Sequence, residues 1–337
     1  MKVAAITGER EATLIEAPRP PAKEDYALVK ITVAPMCTEY KDFIQGRETD
    51  HLGHEAVGEV VDVAQPGKVK VGDRVVVQPQ YPCGKCELCV SGNYIHCEHN
   101  VDARAFLGCS HGTATMAQFI AKPSWLLSPI PDDISDEHAS LALCALGPTF
   151  GAFQLTRLTA GESVLITGLG PVGLGGVVNA SFRGARVFGV DFNPWRRQRA
   201  LELGAEAVFD PNDPEVAAQI RARTRNQQGV DVAHDCSGAA QAHKLGLDVL
   251  RRKGRFSLNQ GFGEAPVGLG HFVWSGHQLF GAWHYNLADF PLLLEVIRRS
   301  PHVDHLISHV FPLSRLQEAF ETLAGQETAK VLLKVWE

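Results

Sequence analysis

The sequence lacks the features that would place it in a membrane, in a secretory route or on nucleic acid. No apolar stretch reaches the roughly 18 residues needed to span a bilayer. Residues 1–6 lack an apolar signal region followed by a small-residue cleavage site. The formal net charge of −6 gives no long-range attraction for nucleic acid or for an anionic membrane. We therefore expect a cytoplasmic protein without nucleic-acid or membrane partners.

The sequence does have the length and composition of a globular protein with more than one domain. Its 337 residues exceed one ordinary domain, so two domains are expected. Hydrophobic residues make up 45% of the chain and charged residues 21%, which is ordinary for a folded protein.

Two hydrophobic patterns divide the chain. Val29, Ile31 and Val33 alternate with polar residues, a pattern typical of half-buried strands, and roughly the first 145 residues are expected to be β-rich. After about residue 160, short apolar strands alternate with helical stretches, which predicts a parallel doubly wound sheet. The tail, roughly 287–337, predicts two amphipathic helices and a final strand at 330–335.

Four of the eight cysteines fall within fifteen residues, in the order C-x2-C-x2-C-x7-C. They are Cys83, Cys86, Cys89 and Cys97. Two-residue gaps let neighbouring sulfurs converge on one tetrahedral ion, and four thiolates close its coordination sphere, so the spacing predicts a structural zinc. An iron–sulfur cluster fits less well, because ferredoxin spacing ends with a gap of about three residues and a proline. Unliganded core cysteines fit poorly with the polar residues between them.

This segment resembles the zinc-binding lobe of the medium-chain zinc-dependent dehydrogenases, the family of alcohol, sorbitol and threonine dehydrogenases. The similarity runs through nearly the whole chain, in the family's motif order. It implies an α/β protein with a β-rich GroES-like catalytic domain (1–147 and 287–337) and a Rossmann domain with a doubly wound parallel sheet (148–286). Similar proteins are dimers or tetramers, so we expect a homodimer or homotetramer, joined near 279–283.

The resemblance also implies a second, catalytic zinc with three protein ligands. Cys37 follows a predicted strand where the family's first ligand lies, and residues 53–55 resemble the family's G-H-E signature with His54 as the ligand. Cys144 precedes Gly161 by seventeen residues, which fits the third ligand. Taken singly, the cysteine is also typical of a core position and the histidine of a structural one. Three ligands leave zinc a position for an alcohol, whose hydroxyl pKa it lowers.

One stretch departs from the family. After the first ligand, the family has Gly, then Ser or Thr, then Asp, whereas this chain has Thr38, Glu39 and Tyr40. Without a gap, Glu39 replaces the hydroxyl that passes the alcohol proton outward, so it is the candidate general base. Thr38 would serve instead if the loop shifted by one residue. Asp42 stands where many members have the last histidine of the relay, and Glu55 resembles the glutamate that can approach the zinc.

A glycine-rich G-x-G-x-x-G sequence follows the first predicted strand of the second half and opens a helix. Asp191 ends the next predicted strand, about 20 residues on, and this context predicts a dinucleotide-binding turn. The helix N-terminus offers unpaired N–H groups to a pyrophosphate, and a proline is tolerated in its first turn. The candidate cofactor-binding residues of the turn are Gly168, Gly170, Pro171, Val172 and Gly173.

Four residues outside the turn are further cofactor candidates. Asp191 can accept hydrogen bonds from both ribose hydroxyls and would repel a 2′-phosphate, so we expect NAD rather than NADP. Arg196 matches the family's basic residue near the adenosine ribose, and its charge leaves room for NADP. The resemblance adds Cys236, at the end of the fourth strand beside the nicotinamide half. It also adds Thr149, although the family's threonine falls one residue earlier.

These features together predict a zinc-dependent oxidoreductase that transfers a hydride between a secondary alcohol, polyol or sugar alcohol and NAD, with two zinc ions. A zinc-free quinone or enoyl reductase is disfavoured because the three ligands of the second site are present. Two alternatives stay open. One is a lyase or isomerase that uses NAD transiently, and the other is a non-catalytic binding protein. No readable motif marks the pocket walls, so the sequence does not choose the alcohol.

Overall fold

The computed structural model describes residues 1–260 and 268–336. It divides the chain into two compact units. The first comprises Met1–Leu143, Asn286–Leu294 and Ile307–Glu337, and the second comprises Cys144–Tyr285 and Glu295–Leu306. The chain thus leaves the first unit after Leu143 and returns to it at Asn286.

Strands form the framework of the first unit and the centre of the second. In chain order they are β1 (Lys2–Gly8), β2 (Glu11–Glu16), β3 (Tyr26–Pro35), β4 (Ala56–Val63), β5 (Arg74–Val77), β6 (Phe119–Pro123), β7 (Leu127–Pro129), β8 (Ser163–Thr167), β9 (Arg186–Val190), β10 (Ala207–Phe209), β11 (Val230–Asp235), β12 (Leu250–Leu258), β13 (Gln278–Gly281), β14 (Ile307–Pro312) and β15 (Lys330–Lys334).

The helices are short in the first unit and longer in the second. In chain order they are α1 (Tyr40–Gln45), α2 (Glu87–Val90), α3 (Ala103–Leu107), α4 (Asp136–Ser140), α5 (Gly147–Leu155), α6 (Pro171–Phe182), α7 (Pro194–Glu202), α8 (Val216–Ala222), α9 (Ala240–Val249), α10 (Leu269–Ser275), α11 (Phe290–Arg299) and α12 (Leu316–Ala324). Within the described ranges, none of these helices combines the length and the apolar character of a bilayer-spanning segment.

The first unit is built on a seven-stranded sheet in the order β14-β15-β3-β4-β5-β7, with β6 also paired to β3. The predicted alternation in β3 is confirmed, since Val29, Ile31 and Val33 are buried in the core while Lys30 and Thr32 are half-buried. The two helices and the final strand predicted for the tail are present as α11, α12 and β15, but the tail also contains β14, which was not predicted. Strand β15 lies between β14 and β3, so the end of the chain completes the sheet of the N-terminal part.

The second unit contains the predicted parallel doubly wound sheet, in the order β10-β9-β8-β11-β12-β13. Strand β8 is buried throughout, as expected for a central parallel strand. The strand order reverses between β8 and β11. In open α/β sheets, ligands bind beyond the carboxyl ends of the strands at such a reversal.

Candidate functional site

The four-cysteine cluster (Cys83, Cys86, Cys89 and Cys97) brings its sulfurs together as a tetrahedral metal site requires. The Sγ–Sγ distances are 3.9 Å for Cys83–Cys89, 3.5 Å for Cys86–Cys89, 3.8 Å for Cys86–Cys97 and 3.6 Å for Cys83–Cys97. A tetrahedron with Zn–S bonds of about 2.3 Å has sulfur–sulfur edges of about 3.8 Å. The cluster therefore has the dimensions of a structural zinc site.

Backbone geometry holds these sulfurs in place. Gly84 and Gly92 adopt positive φ values of 73° and 84°, a region that favours glycine, and they supply the turns between ligands. Backbone N–H groups point toward sulfur, as in the contact of 3.4 Å from Cys83 N to Cys97 Sγ. Hydrogen bonds from the backbone of Lys85 and Cys86 lower the pKa of the Cys83 thiol to about 6. Such donors favour the thiolate, the form that binds metal.

A second potential metal-binding set, called here the Cys–His group, consists of Cys37, His54, Glu55 and Cys144. One ligand atom from each of these residues lies within 4.8 Å of the others. Cys37 follows β3, and the adjacent pair His54–Glu55 precedes β4. Cys144 lies between α4 and α5. The structure thus brings together the three ligands that the sequence proposed, with Glu55 beside them.

Glu39 is buried and uses both carboxylate oxygens. Oε2 accepts a hydrogen bond of 2.8 Å from the backbone N–H of Cys37, and Oε1 lies 2.9 Å from Nδ1 of His54. Burial lowers the pKa of His54, but hydrogen bonds with Cys37 and Glu39 outweigh it and hold this pKa well above its usual value. Both oxygens of Glu39, the expected general base, are thus in contact with members of the Cys–His group.

The residues around Glu39 lie on the surface side of the same loop. Thr38 is exposed next to Cys37, and Tyr40 begins α1 half-buried. Asp42, the expected end of the proton relay, pairs with Arg47 at 2.9 Å.

Glu55 has a buried partner that sequence reasoning missed. Lys330 Nζ lies 2.5 Å from Glu55 Oε1, and neither side chain has any exposed surface. Burial raises the pKa of Glu55 to about 7, although the Lys330 ammonium opposes the rise. The two residues lie 275 positions apart, and no local pattern marks Lys330 as a partner.

The glycine-rich turn links the ends of two neighbouring parallel strands. Gly168 N donates to Val190 O at 2.8 Å, and Gly170 caps α6, which begins at Pro171. A Cβ on Gly173 would lie 1.9 Å from the carbonyl oxygen of Gly168, so only glycine fits there. The turn therefore leaves the first N–H groups of α6 directed at a ligand, as in dinucleotide-binding folds.

Asp191 and Arg196 flank this turn. The buried Asp191 carboxylate accepts hydrogen bonds from Leu169 N at 2.7 Å and from Asn193 N at 2.8 Å. Arg196 Nη1 lies 4.0 Å from where a Cβ on Gly170 would stand. A negative and a positive charge thus lie beside the turn.

The two remaining cofactor candidates are engaged within the protein. Thr149 is fully buried, and its Oγ1 donates to Leu146 O and accepts from Asn179 Nδ2 at 2.8 Å. We therefore assign it to the packing between α5 and α6. Cys236 follows β11, and burial raises the pKa of its thiol well above the usual value, which keeps the thiol neutral.

Asp235, the residue before Cys236, was not singled out from the sequence, and it organises the end of β11. Its carboxylate accepts hydrogen bonds from Thr167 Oγ1 and Ser237 Oγ, both at 2.7 Å, and from Gly238 N at 2.8 Å. His243 Nε2 lies 3.0 Å away. This buried network fixes the turn after β11 at the point where the strand order reverses.

Comparisons with known proteins agree with this architecture. A family model described as "Alcohol dehydrogenase GroES-like domain" matches residues 23–132, and one described as "Zinc-binding dehydrogenase" matches residues 171–299. Sorbitol dehydrogenase of Bacillus subtilis (strain 168) is 29% identical over 335 residues, covering 95% of this chain and 93% of that protein. D-arabitol-phosphate dehydrogenase of Enterococcus avium is 27% identical over 339 residues, covering 97% and 95%. Among solved structures, alcohol dehydrogenase TADH from Thermus sp. ATN1 shares the fold with a TM-score of 0.89, 24% identity and 100% coverage of both chains.

Proposed function

Because this chain belongs to the zinc-dependent medium-chain dehydrogenase family, we propose that it transfers a hydride between a secondary alcohol, polyol or sugar alcohol and NAD. Family membership makes it an oxidoreductase of the alcohol and polyol dehydrogenase type, with zinc and a nicotinamide cofactor. The convergence of the ligand atoms of the Cys–His group carries the proposal. Neither a lyase or isomerase nor a non-catalytic binding protein is favoured by any of these observations.

The donor set of the Cys–His group fits a catalytic zinc. Two thiolates and one imidazole are preferred zinc ligands, and three protein ligands leave one position for substrate. Zinc held by these residues would supply Lewis acidity toward an alcohol hydroxyl, and a nicotinamide bound at the glycine-rich turn would be the hydride acceptor. We assign Cys37, His54 and Cys144 as the ligands, with Glu55 held beside them by Lys330.

We assign Glu39 the role of orienting His54, in place of the general-base role expected from the sequence. A carboxylate only accepts hydrogen bonds, so its contact puts the ring proton of His54 on Nδ1. Nε2, on the other side of the ring, is then the nitrogen that would bind a metal once it has lost its own proton. Thr38 is exposed beside Cys37 and can pass the alcohol proton outward, as the one-residue loop shift implies.

We propose NAD in preference to NADP. The Asp191 carboxylate is fixed against the glycine-rich turn, and its negative charge would repel a 2′-phosphate. Arg196 would contact the adenosine ribose, and Cys236 would line the nicotinamide side. The pyrophosphate would lie against the N-terminus of α6, at Gly168, Gly170, Pro171, Val172 and Gly173.

We further propose two zinc ions per chain, one for each ligand group. The four-cysteine cluster offers no open position, so its zinc would hold structure only. A site built from free thiols persists in a reducing compartment, which supports a cytoplasmic location.

We propose that two copies of the chain join along β13. This strand lies at the edge of the parallel sheet, so within residues 1–260 and 268–336 one side of its backbone has no neighbouring strand. Exposed apolar side chains surround it, including Trp274 at 83% exposure and Leu279 at 52%. Exposed apolar patches of this kind mark interaction surfaces.

The proposed reaction is tested by following NADH absorbance over a panel of polyols, simple secondary alcohols and amino alcohols, with NAD and NADP in parallel. We expect turnover of at least one polyol or secondary alcohol, with a higher kcat/KM for NAD. Zinc-replete protein that binds NADH but oxidises nothing in the panel would overturn the proposed reaction. A higher kcat/KM with NADP would overturn the cofactor preference alone.

The metal assignment is tested separately by Cys37→Ser. We expect this variant to lose one of the two zinc ions and all turnover while it still binds NADH. Retention of both ions would refute Cys37 as a ligand.

A further inference from the structure

The loop that carries the four-cysteine cluster, residues 83–97, makes a contact that the proposed reaction does not use. We call this loop the zinc lobe. Its tip, Ser91-Gly92-Asn93, lies against Asn286 and Leu287. Asn286 is the first residue of Asn286–Leu294, the stretch with which the chain re-enters the first unit.

Each residue of the tip is engaged by this stretch. Asn286 Nδ2 donates to Ser91 O at 2.8 Å and to Asn93 Oδ1 at 3.1 Å. The backbone N–H of Leu287 donates to Gly92 O at 2.9 Å. The contact therefore involves both the backbone and a specific amide side chain.

Close packing accompanies these hydrogen bonds between the zinc lobe and residues Asn286 and Leu287. A Cβ on Gly92 would lie 2.2 Å from Asn286 Oδ1, so the close approach requires glycine. Leu287 packs against the hydrophobic core of the zinc lobe, which includes Cys89, Cys97 and Tyr94. All four cysteine side chains of the zinc lobe thus belong to the same packed cluster as Leu287.

Asn286 also organises the chain that follows it. Its Oδ1 accepts a hydrogen bond of 2.9 Å from Ala288 N and caps a short helical turn, Leu287–Asp289, which leads directly into α11. The first turns of α11 are buried through Phe290 and Leu293. A single side chain thus links the tip of the zinc lobe to the start of α11.

We propose that Asn286 is a positioning residue of the four-cysteine site, and that metal binding there is thermodynamically linked to the order of Asn286–Leu294. The inference rests on the proposed structural zinc. Metal binding to such a lobe contributes folding free energy, and any segment ordered by the lobe shares in it. Because the linkage is reciprocal, loosening the segment weakens the metal site, and removing the metal loosens the segment.

The first test uses Asn286→Asp in the zinc-replete protein. The substitution keeps the oxygen that caps Ala288 but loses the Nδ2 donors to Ser91 and Asn93. Alkylation of each cysteine by iodoacetamide is followed by peptide mass spectrometry. We expect the four cysteines of the zinc lobe to react about tenfold faster, while Cys37 and Cys144 keep their wild-type rates as internal controls.

Asn226→Asp makes the same change of charge in an exposed loop of the second unit and should leave all rates unaltered. Unchanged lobe rates in Asn286→Asp would overturn the proposal, as would a uniform acceleration that includes Cys37 and Cys144, since that reports general destabilisation. Wild-type protein that holds no metal at the lobe would instead refute the structural zinc.

The second test needs no variant. Hydrogen exchange of wild-type protein is compared before and after zinc is withdrawn by a chelator. We expect amides in Asn286–Leu294 to lose protection together with the lobe, while β8 and β9 keep theirs. Full protection of Asn286–Leu294 after the lobe has lost its metal would overturn the linkage.

Discussion

Glu39 engages the ligand-bearing loop through both oxygens, and this determines what its replacement would change. Glu39→Gln puts an amide N–H₂ where one of the two acceptors stood, so either Cys37 N or His54 Nδ1 loses its partner. Loss of a hydrogen-bond partner behind a metal-binding histidine costs about 10–100-fold in metal affinity or activity. We expect zinc retention during dialysis against a chelator and kcat/KM to fall together.

Asp42→Asn is the matched control for that substitution. Asp42 lies on the adjoining helix α1 but pairs with Arg47 at the surface, so zinc retention and kcat/KM should stay at wild-type values. If Glu39→Gln kept its zinc and lost only the pH dependence of kcat, Glu39 would be the general base instead.

His234 makes the stability of the second unit depend on pH. Burial lowers its pKa from 6.5 to about 4, and its Nδ1 lies 2.7 Å from Ser257 Oγ. The folded state therefore binds fewer protons than the unfolded state between these values, and the stabilisation present above pH 6.5 is lost as pH falls toward 4.

The test of His234 compares the wild type with His234→Gln by urea denaturation at several pH values. We expect the free energy of unfolding of the wild type, relative to the variant, to decrease by about 2 kcal/mol between pH 7 and pH 5. A difference that stays constant across this range would contradict the assignment. Zinc loss and carboxylate protonation affect both proteins equally. The difference between their free energies of unfolding therefore reports the protonation of His234.

At the scale of the elements, the conformation of the glycine-rich turn before α6 depends on Asp191, the acidic residue that follows β9. Asp191 holds the N–H of Leu169 in this turn. Asp191→Ala should therefore weaken binding of both dinucleotides and remove the repulsion of a 2′-phosphate. We expect the ratio of kcat/KM for NAD to that for NADP to fall at least tenfold, on the order of 1.4 kcal/mol of discrimination.

Asp213→Ala removes a half-buried carboxylate after β10 that accepts a hydrogen bond from Glu215 N; it is the control and should leave the ratio unchanged. A ratio unaffected by Asp191→Ala would mean that selectivity resides elsewhere.

Elements with a local signal were predicted well. Strands β8 and β9 have the bounds expected from the sequence, because a buried parallel strand is a short continuous apolar run. All four cysteines of the cluster lie within fifteen residues, so their spacing was enough to predict that the sulfurs converge.

Contacts between distant positions had no such signal. Lys330 reaches Glu55 because β15 pairs with β3, and this register depends on the whole sheet rather than on the residues around 330. The contact of Asn286 with the tip of the zinc lobe is equally non-local. The hydrogen bonds of Glu39 follow from the loop conformation, which the sequence alone did not provide.

At the scale of the whole molecule, the proposed pairing of two copies along the edge strand β13 can be tested by substitution. Leu279→Lys places a charge on β13 and should disfavour pairing of two edges. We expect light scattering after size exclusion to show a lower molar mass than the wild type has at the same concentration.

Val310→Lys is the matched control. Val310 is an apolar residue with 45% exposure on β14, an edge strand of the seven-stranded sheet. Dissociation by this variant instead of by Leu279→Lys would place the interface on the first unit.

The position of β15 inside the first sheet has a consequence for synthesis on the ribosome. Residues 144–285, which supply all six strands of the parallel sheet, emerge before β15 does. The sheet of the first unit cannot pair β14 with β3 until its intervening strand has been made. Strands β3 to β7 can pair as soon as they are made, but the sheet of the first unit is completed only after every residue of the second unit has been synthesised. This reverses the usual N-to-C order of domain maturation.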